Sequence, residues 1–271
     1  MTGKLPDFLG IGAMRAGSTL LYDLLKSHPD IYVPPYRKEV RYFDEYYNRG
    51  EDWYESFFDG AKGHIAGEVT PTYLYSEEVR KRIKEDLDDV KFLVILRDPV
   101  KRAYSHFKHA YLKKNTGVDS FEGFLEERPD AKERGLYGEH LSEWIGAFGR
   151  DQVCIVLLED VEDEIEKIGN HLGVPVEGFE TDVLSKSSNS SFMPYSRVLY
   201  HHLNRIGQTL RYVGMDRVVE KTRPLVDSFL TLNKEFPPLT AETENNLRHY
   251  YEDDVKQLQG ILGRELDVWD I

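Results

Sequence analysis

The sequence predicts an α/β fold, a central parallel sheet flanked by helices, and three strand–turn–helix units are the reason. Phe8–Gly12 is a short apolar run ending in glycine, Lys91–Leu96 is a near-continuous apolar stretch, and Gln152–Leu158 is a third. Runs of that kind, without polar alternation, suit strands buried on both faces. Each is followed by a segment of helical periodicity, the pattern of strands joined by crossover helices.

After Phe8–Gly12, Leu20, Leu21, Leu24 and Leu25 recur at helical spacing, and His28-Pro29 stops that helix. After Lys91–Leu96, Asp98 is placed to cap a helix, Pro99 suits its first turn, and the helix runs through Tyr104 and Phe107. After Gln152–Leu158 comes an acidic helix from about Asp160 to Leu172. Tyr137–Phe148 reads as a helix with Leu141, Trp144, Ile145 and Phe148 on one face. Ser185–Ser191 reads as a polar loop. Arg197–Val213 and Ala241–Leu262 read as further helices, the last with a stripe of Leu247, Tyr251, Val255 and Leu258. With no internal repeat, low-complexity tract or long linker, residues 1–271 are expected to form one domain.

Composition narrows the function. Asp plus Glu number 48 against 35 Lys plus Arg, a net charge of −13, which opposes nucleic acid and anionic membranes unless a basic cleft is built locally. One cysteine, Cys154, excludes an internal disulfide framework and a cysteine-based zinc site. No run approaches the roughly 20 apolar residues that span a bilayer, and the first residues lack the apolar stretch of a secretory signal. The expectation is a free-standing cytoplasmic protein with no membrane span and no nucleic-acid partner.

The chemistry begins at the turn after Phe8–Gly12. Gly12-Ala-Met-Arg-Ala-Gly17-Ser18-Thr19 has the spacing of a phosphate-cradling P-loop, GxxxxG followed by two polar positions, between a strand and a helix. Glycines let backbone N–H groups approach an anion, and a helix N-terminus adds partial positive charge. An ordinary tight turn is the plain alternative. The expected fold is therefore P-loop-like and three-layered. Ser18 stands where a nucleotide triphosphatase has its lysine, and the cation, Arg15, lies earlier. The second strand ends Leu96-Arg97-Asp98-Pro99, where the proline favours a helix cap at Asp98 over a Mg²⁺ anchor. The expected ligand needs no metal.

Arg97, at the C-terminal edge of a parallel strand, occupies the place where open α/β sheets contact ligands. Ser105 follows Asp98 by seven residues, on the face of the helix start. An arginine and a hydroxyl converging there suit a second phosphate; a surface arginine and a helix serine are the bland alternative. His106 and His109 share that helix, either as a proton acceptor or as packed or surface histidines. Glu39 reads from its neighbours as a solvated carboxylate paired with Arg37 or Arg41. The aromatics Tyr42, Phe43, Tyr46, Tyr47, Trp53, Tyr54, Phe57 and Phe58 line an acceptor pocket or fill core.

Phe8–Leu21 followed by Arg97-Asp-Pro-Val-Lys-Arg-Ala-Tyr-Ser-His-Phe107 closely resembles the paired 5′-phosphosulfate and 3′-phosphate motifs of sulfotransferases that use 3′-phosphoadenosine 5′-phosphosulfate (PAPS). Lys38-Glu-Val-Arg-Tyr-Phe-Asp44, Trp53–Phe58 and Gly67–Tyr73 are similar to segments of the heparan sulfate glucosaminyl branch. Gly138–Asp160 and Leu239–Trp269 resemble later segments of the bacterial and carbohydrate branches. The resemblance implies an enzyme that moves the sulfuryl group of PAPS to a hydroxyl or amine by in-line displacement, releasing adenosine 3′,5′-bisphosphate, without a metal.

It also implies roles. The backbone of Arg15, Ala16, Gly17, Ser18 and Thr19 grips the 5′-phosphosulfate, with Arg15 where the family usually has lysine. Arg97 and Ser105 bind the 3′-phosphate, and Glu39 falls on the glutamate that serves as general base; His106 is the other base candidate. The loop around Asn189 falls where the family closes over the nucleotide. Arg15 acts on the leaving oxygen by charge, since a guanidinium stays protonated. Val69 stands in place of a second active-site lysine and Arg41 in place of a histidine, and both weaken a heparan-type acceptor. The acceptor expected is a small molecule, a glycan or a carrier-bound group. A P-loop kinase using ATP and Mg²⁺, and a non-catalytic nucleotide-binding module, are the competing readings.

Overall fold

The computed structural model describes residues 4–113, 118–186, 193–194, 206–207, 222, 231–232 and 236–271. The chain divides into two compact units, Met1–Arg102 with Arg134–Ser188 and Arg248–Ile271, and Ala103–Glu133 with Asn189–Leu247.

The first unit is built on a five-stranded sheet of β1 (Phe8–Gly12), β2 (Ile31–Tyr32), β3 (Ile65–Val69), β4 (Lys91–Leu96) and β5 (Val153–Leu157). Their order is β2-β3-β1-β4-β5 and every pairing is parallel. This is the α/β class the apolar runs predict. β1 sits between β3 and β4, so the chain turns to opposite sides of it, and the C-terminal end of β1 is where such sheets bind ligands.

Helices follow in chain order: α1 (Ser18–Ser27), α2 (Glu51–Glu55), α3 (Glu77–Asp86), α4 (Pro99–Lys113), α5 (Phe121–Glu127), α6 (Asp130–Glu133), α7 (Tyr137–Phe148), α8 (Ile165–Leu172), α9 (Asp182–Lys186) and a C-terminal helix, Ala241–Leu262. Strand side chains alternate between faces. Leu93, Ile95, Cys154 and Val156 share one core with Leu21, Leu24 and Leu25 of α1 and Ile165 and Ile168 of α8. Phe92, out of phase by one residue, meets Trp144 and Phe148 of α7 on the other face. The strands are buried on both sides, which is why they show no polar alternation.

Two caps fix the helices around the sheet. The Asp98 Oδ1 accepts from the N–H of Val100 at 2.8 Å and of Lys101 at 3.1 Å, so this fully buried carboxylate is the helix cap its proline suggests. Asp254, from the C-terminal helix, accepts from Gly138 and Glu139 N–H, both at 2.9 Å, at the start of α7. The stripe of Leu247, Tyr251, Val255 and Leu258 is buried as its spacing predicts.

One helix departs from expectation. α8 starts at Ile165 rather than near Asp160. The Glu164 carboxylate, 3 % exposed, turns back to the strand end and accepts from Leu157 N–H at 2.7 Å, with Lys167 and Arg264 completing it. Residues 160–164 are held as turns by that capture. Of Ser185–Ser191, the first two residues end α9, and 187–191, with Asn189, lie outside the described residues. Arg197–Val213 does too, apart from 206–207.

In the second unit Tyr104, Phe107 and Tyr111 pack with Phe121 and Phe124, and the Tyr104 hydroxyl donates to the Pro237 carbonyl at 2.8 Å. Met193–Pro194 and Thr231–Leu232 pair antiparallel. Among the described residues no helix is long and apolar enough to cross a membrane.

Candidate active site

The turn after β1 is tied at both shoulders. Ala13 N–H donates to the Ile95 carbonyl on β4 at 2.7 Å, and Met14 N–H donates to the Tyr75 hydroxyl at 3.0 Å. Gly17 caps α1 with φ +105° and brings no side-chain acceptor, so the first N–H groups of α1 are open to an outside anion. A Cβ on Gly17 would stand 2.8 Å from Leu158 Cδ1. Arg15 and Arg41 are non-glycine residues in the left-handed region, at φ 69° and 61°. Strain of that kind gathers at functional sites.

Charge is concentrated here. Burial lowers the Arg15 guanidinium below its ordinary pKa, the positive charges of Arg97 and Arg102 lower it further, and Glu39 opposes them. Among the described residues, Arg15 Nε is buried with no hydrogen-bond partner. Arg102 is fully buried, and Arg97 is half-buried with its carbonyl held by the Tyr137 hydroxyl at 2.9 Å. Neighbouring cations, an orphaned guanidinium N–H and an open helix N-terminus together suit a strongly anionic ligand. The residues fit a phosphosulfate.

A further cation enters from an unexpected place. The Lys38 Nζ donates to the Ser18 hydroxyl at 3.0 Å and the Thr19 hydroxyl at 3.2 Å. Burial lowers its pKa, and Glu39, with its Oε1 3.6 Å from Nζ, pulls it back. Local spacing does not mark Lys38 as a partner of the turn. Its adjacency to Glu39 in Lys38-Glu39 is the signal available there, and only the fold turns that signal into a contact with the phosphate turn.

Glu39 is half-exposed and pairs with Lys38, not with the arginines beside it. Arg41 binds Asp44 and Glu45 at 3.1 and 2.7 Å, and Arg37 Nε donates to the Glu39 carbonyl at 3.4 Å. Arg37 instead stacks over Tyr46, Trp53 and Phe57.

The family profile described as "Sulfotransferase domain" matches residues 5–222. The chain belongs to the sulfotransferase family. It is 31% identical over 185 residues to heparan sulfate glucosamine 3-O-sulfotransferase 3B1 of Mus musculus, 63% of this chain and 47% of that protein. It is 26% identical over 294 residues to bifunctional heparan sulfate N-deacetylase/N-sulfotransferase 3 of Homo sapiens, 98% of this chain and 31% of that protein. A sulfotransferase crystal structure from Alicyclobacillus acidocaldarius shares the fold, with a TM-score of 0.69 at 23% identity over 99% of this chain and 100% of that one. The chain spans about half the length of the first of these curated relatives.

Within this sulfotransferase frame the first unit brings together Arg15, Ala16, Gly17, Ser18, Thr19, Lys38 and Glu39. Ser105 and His106 lie on α4 in the second unit. Ser105 is half-buried there; His106 is 8 % exposed with its ring edge-on to Phe124 at 5.4 Å, the packed setting of its plain alternative. The aromatic supply divides: Tyr42, Phe43, Tyr54 and Phe58 are core, and Tyr46, Tyr47, Trp53 and Phe57 stay partly exposed. Val69, at the place of the family's second lysine, is fully buried.

Proposed function

We propose that this chain, acting as one sulfotransferase domain, transfers the sulfuryl group of PAPS to an acceptor hydroxyl or amine and releases adenosine 3′,5′-bisphosphate. The observation that carries the reading is the meeting of the Lys38-Glu39 pair with the hydroxyls of Ser18 and Thr19 at the open end of α1. One cluster thus holds cations for a leaving phosphate and a carboxylate for an incoming proton.

In this reading the acceptor oxygen attacks sulfur and its proton passes to the Glu39 carboxylate. The S–O electron pair departs onto the bridging oxygen of the 5′-phosphate. Arg15 stabilises that charge electrostatically. Lys38 supplies a second cation and an N–H that can be given up, which a guanidinium does not do. Arg97 holds the 3′-phosphate. Ser105 for the same phosphate and His106 as an alternative base rest on the motif alone. The acceptor is a small molecule, a glycan or a carrier-bound group. Val69 and Arg41, where the heparan-type enzymes carry lysine and histidine, favour an acceptor other than a highly sulfated polymer. Cytoplasmic residence belongs to the same proposal, supported by the single free and buried thiol of Cys154.

The test is transfer of labelled sulfate from PAPS to a panel of sugars, phenols, sterols and acyl-carrier thioesters, with and without a chelator. Transfer at equal rates in both arms is the expected result. Phosphoryl transfer from ATP that a chelator abolishes identifies a kinase. Nucleotide binding with no transfer to any acceptor identifies a binding module.

A further inference from the structure

A carboxylate outside the proposed machinery is fully buried within β3, one residue before the strand ends. Glu68 has 0 % exposure, and burial pushes its pKa up while four hydrogen bonds oppose the shift. Its Oε2 accepts from Val40 N–H at 2.9 Å and from the Thr70 hydroxyl at 2.5 Å; its Oε1 accepts from the hydroxyls of Tyr54 at 2.9 Å and Tyr73 at 3.0 Å. An ionised carboxylate is the side chain that accepts from four donors at once.

The destinations of those bonds matter more than their number. Val40 follows Glu39 directly. The Thr70 hydroxyl also accepts from Arg41 N–H at 3.4 Å, and the Tyr73 hydroxyl accepts from Phe43 N–H at 3.2 Å. Three backbone N–H groups of the segment after Glu39 therefore end on Glu68, directly or through one hydroxyl. On the other side of Glu39, the Lys38 carbonyl accepts from Val69 N–H at 3.4 Å. The two peptide groups that flank the Glu39 Cα are both held by β3 residues. β3 in turn pairs with β1, with Glu68 opposite Leu9 and Thr70 N–H on the Gly10 carbonyl at 2.8 Å. Glu68 thus joins the two: its backbone pairs with β1, the strand that carries the phosphate turn, and its side chain holds the segment after Glu39.

We propose that Glu68 is a positioning residue that sets the place of the Lys38-Glu39 pair relative to the phosphate turn. Packing alone does not explain it, because an apolar side chain fills such a site without desolvating a charge. The inference rests on the reading of Glu39 as the base.

The test uses a triple variant, Glu68→Leu with Tyr54→Phe and Tyr73→Phe, which removes the acceptor together with the two buried phenol donors and releases Val40 N–H and the Thr70 hydroxyl. Glu68→Gln is its rescue, since the amide oxygen can still accept Val40 N–H. Expected for the triple variant are a kcat at least tenfold lower and amide exchange over residues 38–43 at least tenfold faster. Exchange over residues 12–20 stays unchanged. Glu68→Gln is expected to recover at least a third of the wild-type kcat. Wild-type kcat and exchange in the triple variant overturn the proposal, as does a Glu68→Gln enzyme no better than the triple. If the triple variant does not fold, Thr70→Val decides: unchanged exchange at Arg41 and unchanged kcat overturn it, and faster exchange with lower kcat supports it. If the wild-type protein transfers sulfate to nothing, the base reading fails, while exchange over residues 38–43 still reports whether Glu68 holds the segment.

Discussion

Lys38 Nζ lies 3.0 Å from the hydroxyl of Ser18, the residue that stands in the usual lysine position of a phosphate turn. Beside Arg15 within the turn, a second cation comes from a separate segment that also carries Glu39. Burial holds the Lys38 pKa down, so its charge is stabilised once an anion arrives beside it.

That coupling sets a pH dependence with a definite sign. The folded pKa of Lys38 is below 10.5, so between the two values the unfolded chain binds more protons and the stability of the unliganded protein rises with pH. A bound anion favours the ammonium, so affinity for adenosine 3′,5′-bisphosphate falls across the same window. Calorimetry in buffers of different ionisation enthalpy is expected to show proton uptake on binding there. Lys38→Met removes the uptake; uptake persisting in that variant assigns it to another group.

Glu39→Gln keeps size and hydrogen bonding but not basicity. Its kcat is expected to fall by about 10²–10⁴-fold, with the Kd for adenosine 3′,5′-bisphosphate within twofold of wild type. Near-normal turnover moves the base elsewhere, with His106 the next to test by His106→Ala.

Arg97 is assigned to the 3′-phosphate, which AMP lacks. Adenosine 3′,5′-bisphosphate is expected to raise the Tm several degrees more than AMP at equal concentration. In Arg97→Ala that difference should collapse, and equal shifts from both nucleotides in the wild-type protein would remove the second anion site.

At Gly17 the φ of +105° and the 2.8 Å approach of Leu158 Cδ1 both oppose a side chain. Gly17→Ala is expected to cost about 1–3 kcal/mol, read by denaturant titration, and to abolish nucleotide binding. Gly173→Ala, in the same left-handed region at φ +77° but with open space around its Cβ, isolates the backbone part of that cost.

Cys154 tests the core independently of function. Burial pushes its thiol up to about 11, so alkylation of the folded protein at pH 8 is expected to be negligible and to become complete in denaturant. Fast labelling of the native state contradicts the packing of β5 against α8.

Where periodicity is strong, the chain announces its own elements. β1 and β4 run over Phe8–Gly12 and Lys91–Leu96, and α7 and the C-terminal helix over Tyr137–Phe148 and Ala241–Leu262, as their apolar patterns predict. The phosphate turn and the Asp98 cap are equally local, because glycine spacing and Asp-Pro act within a few residues. α8 was less legible, because Glu164 is drawn to Leu157 N–H, a contact invisible to helical periodicity.

The sequence by itself determined the α/β class, the anion turn at Gly12–Thr19 and Arg97 at the edge of β4, since each depends on short-range backbone geometry and apolar runs. Tertiary structure alone decided that Lys38, rather than a residue of the turn, reaches Ser18 and Thr19, that Glu39 pairs with Lys38 instead of Arg37 or Arg41, and that the Glu68 carboxylate accepts from Val40 N–H. The contacts of Lys38 with Ser18 and Thr19 and of Glu68 with Val40 join residues 19 to 28 apart through the parallel pairing of β1 and β3. A parallel pair needs a long crossover, so which side chains it brings face to face follows from sheet order and not from neighbourhood along the chain.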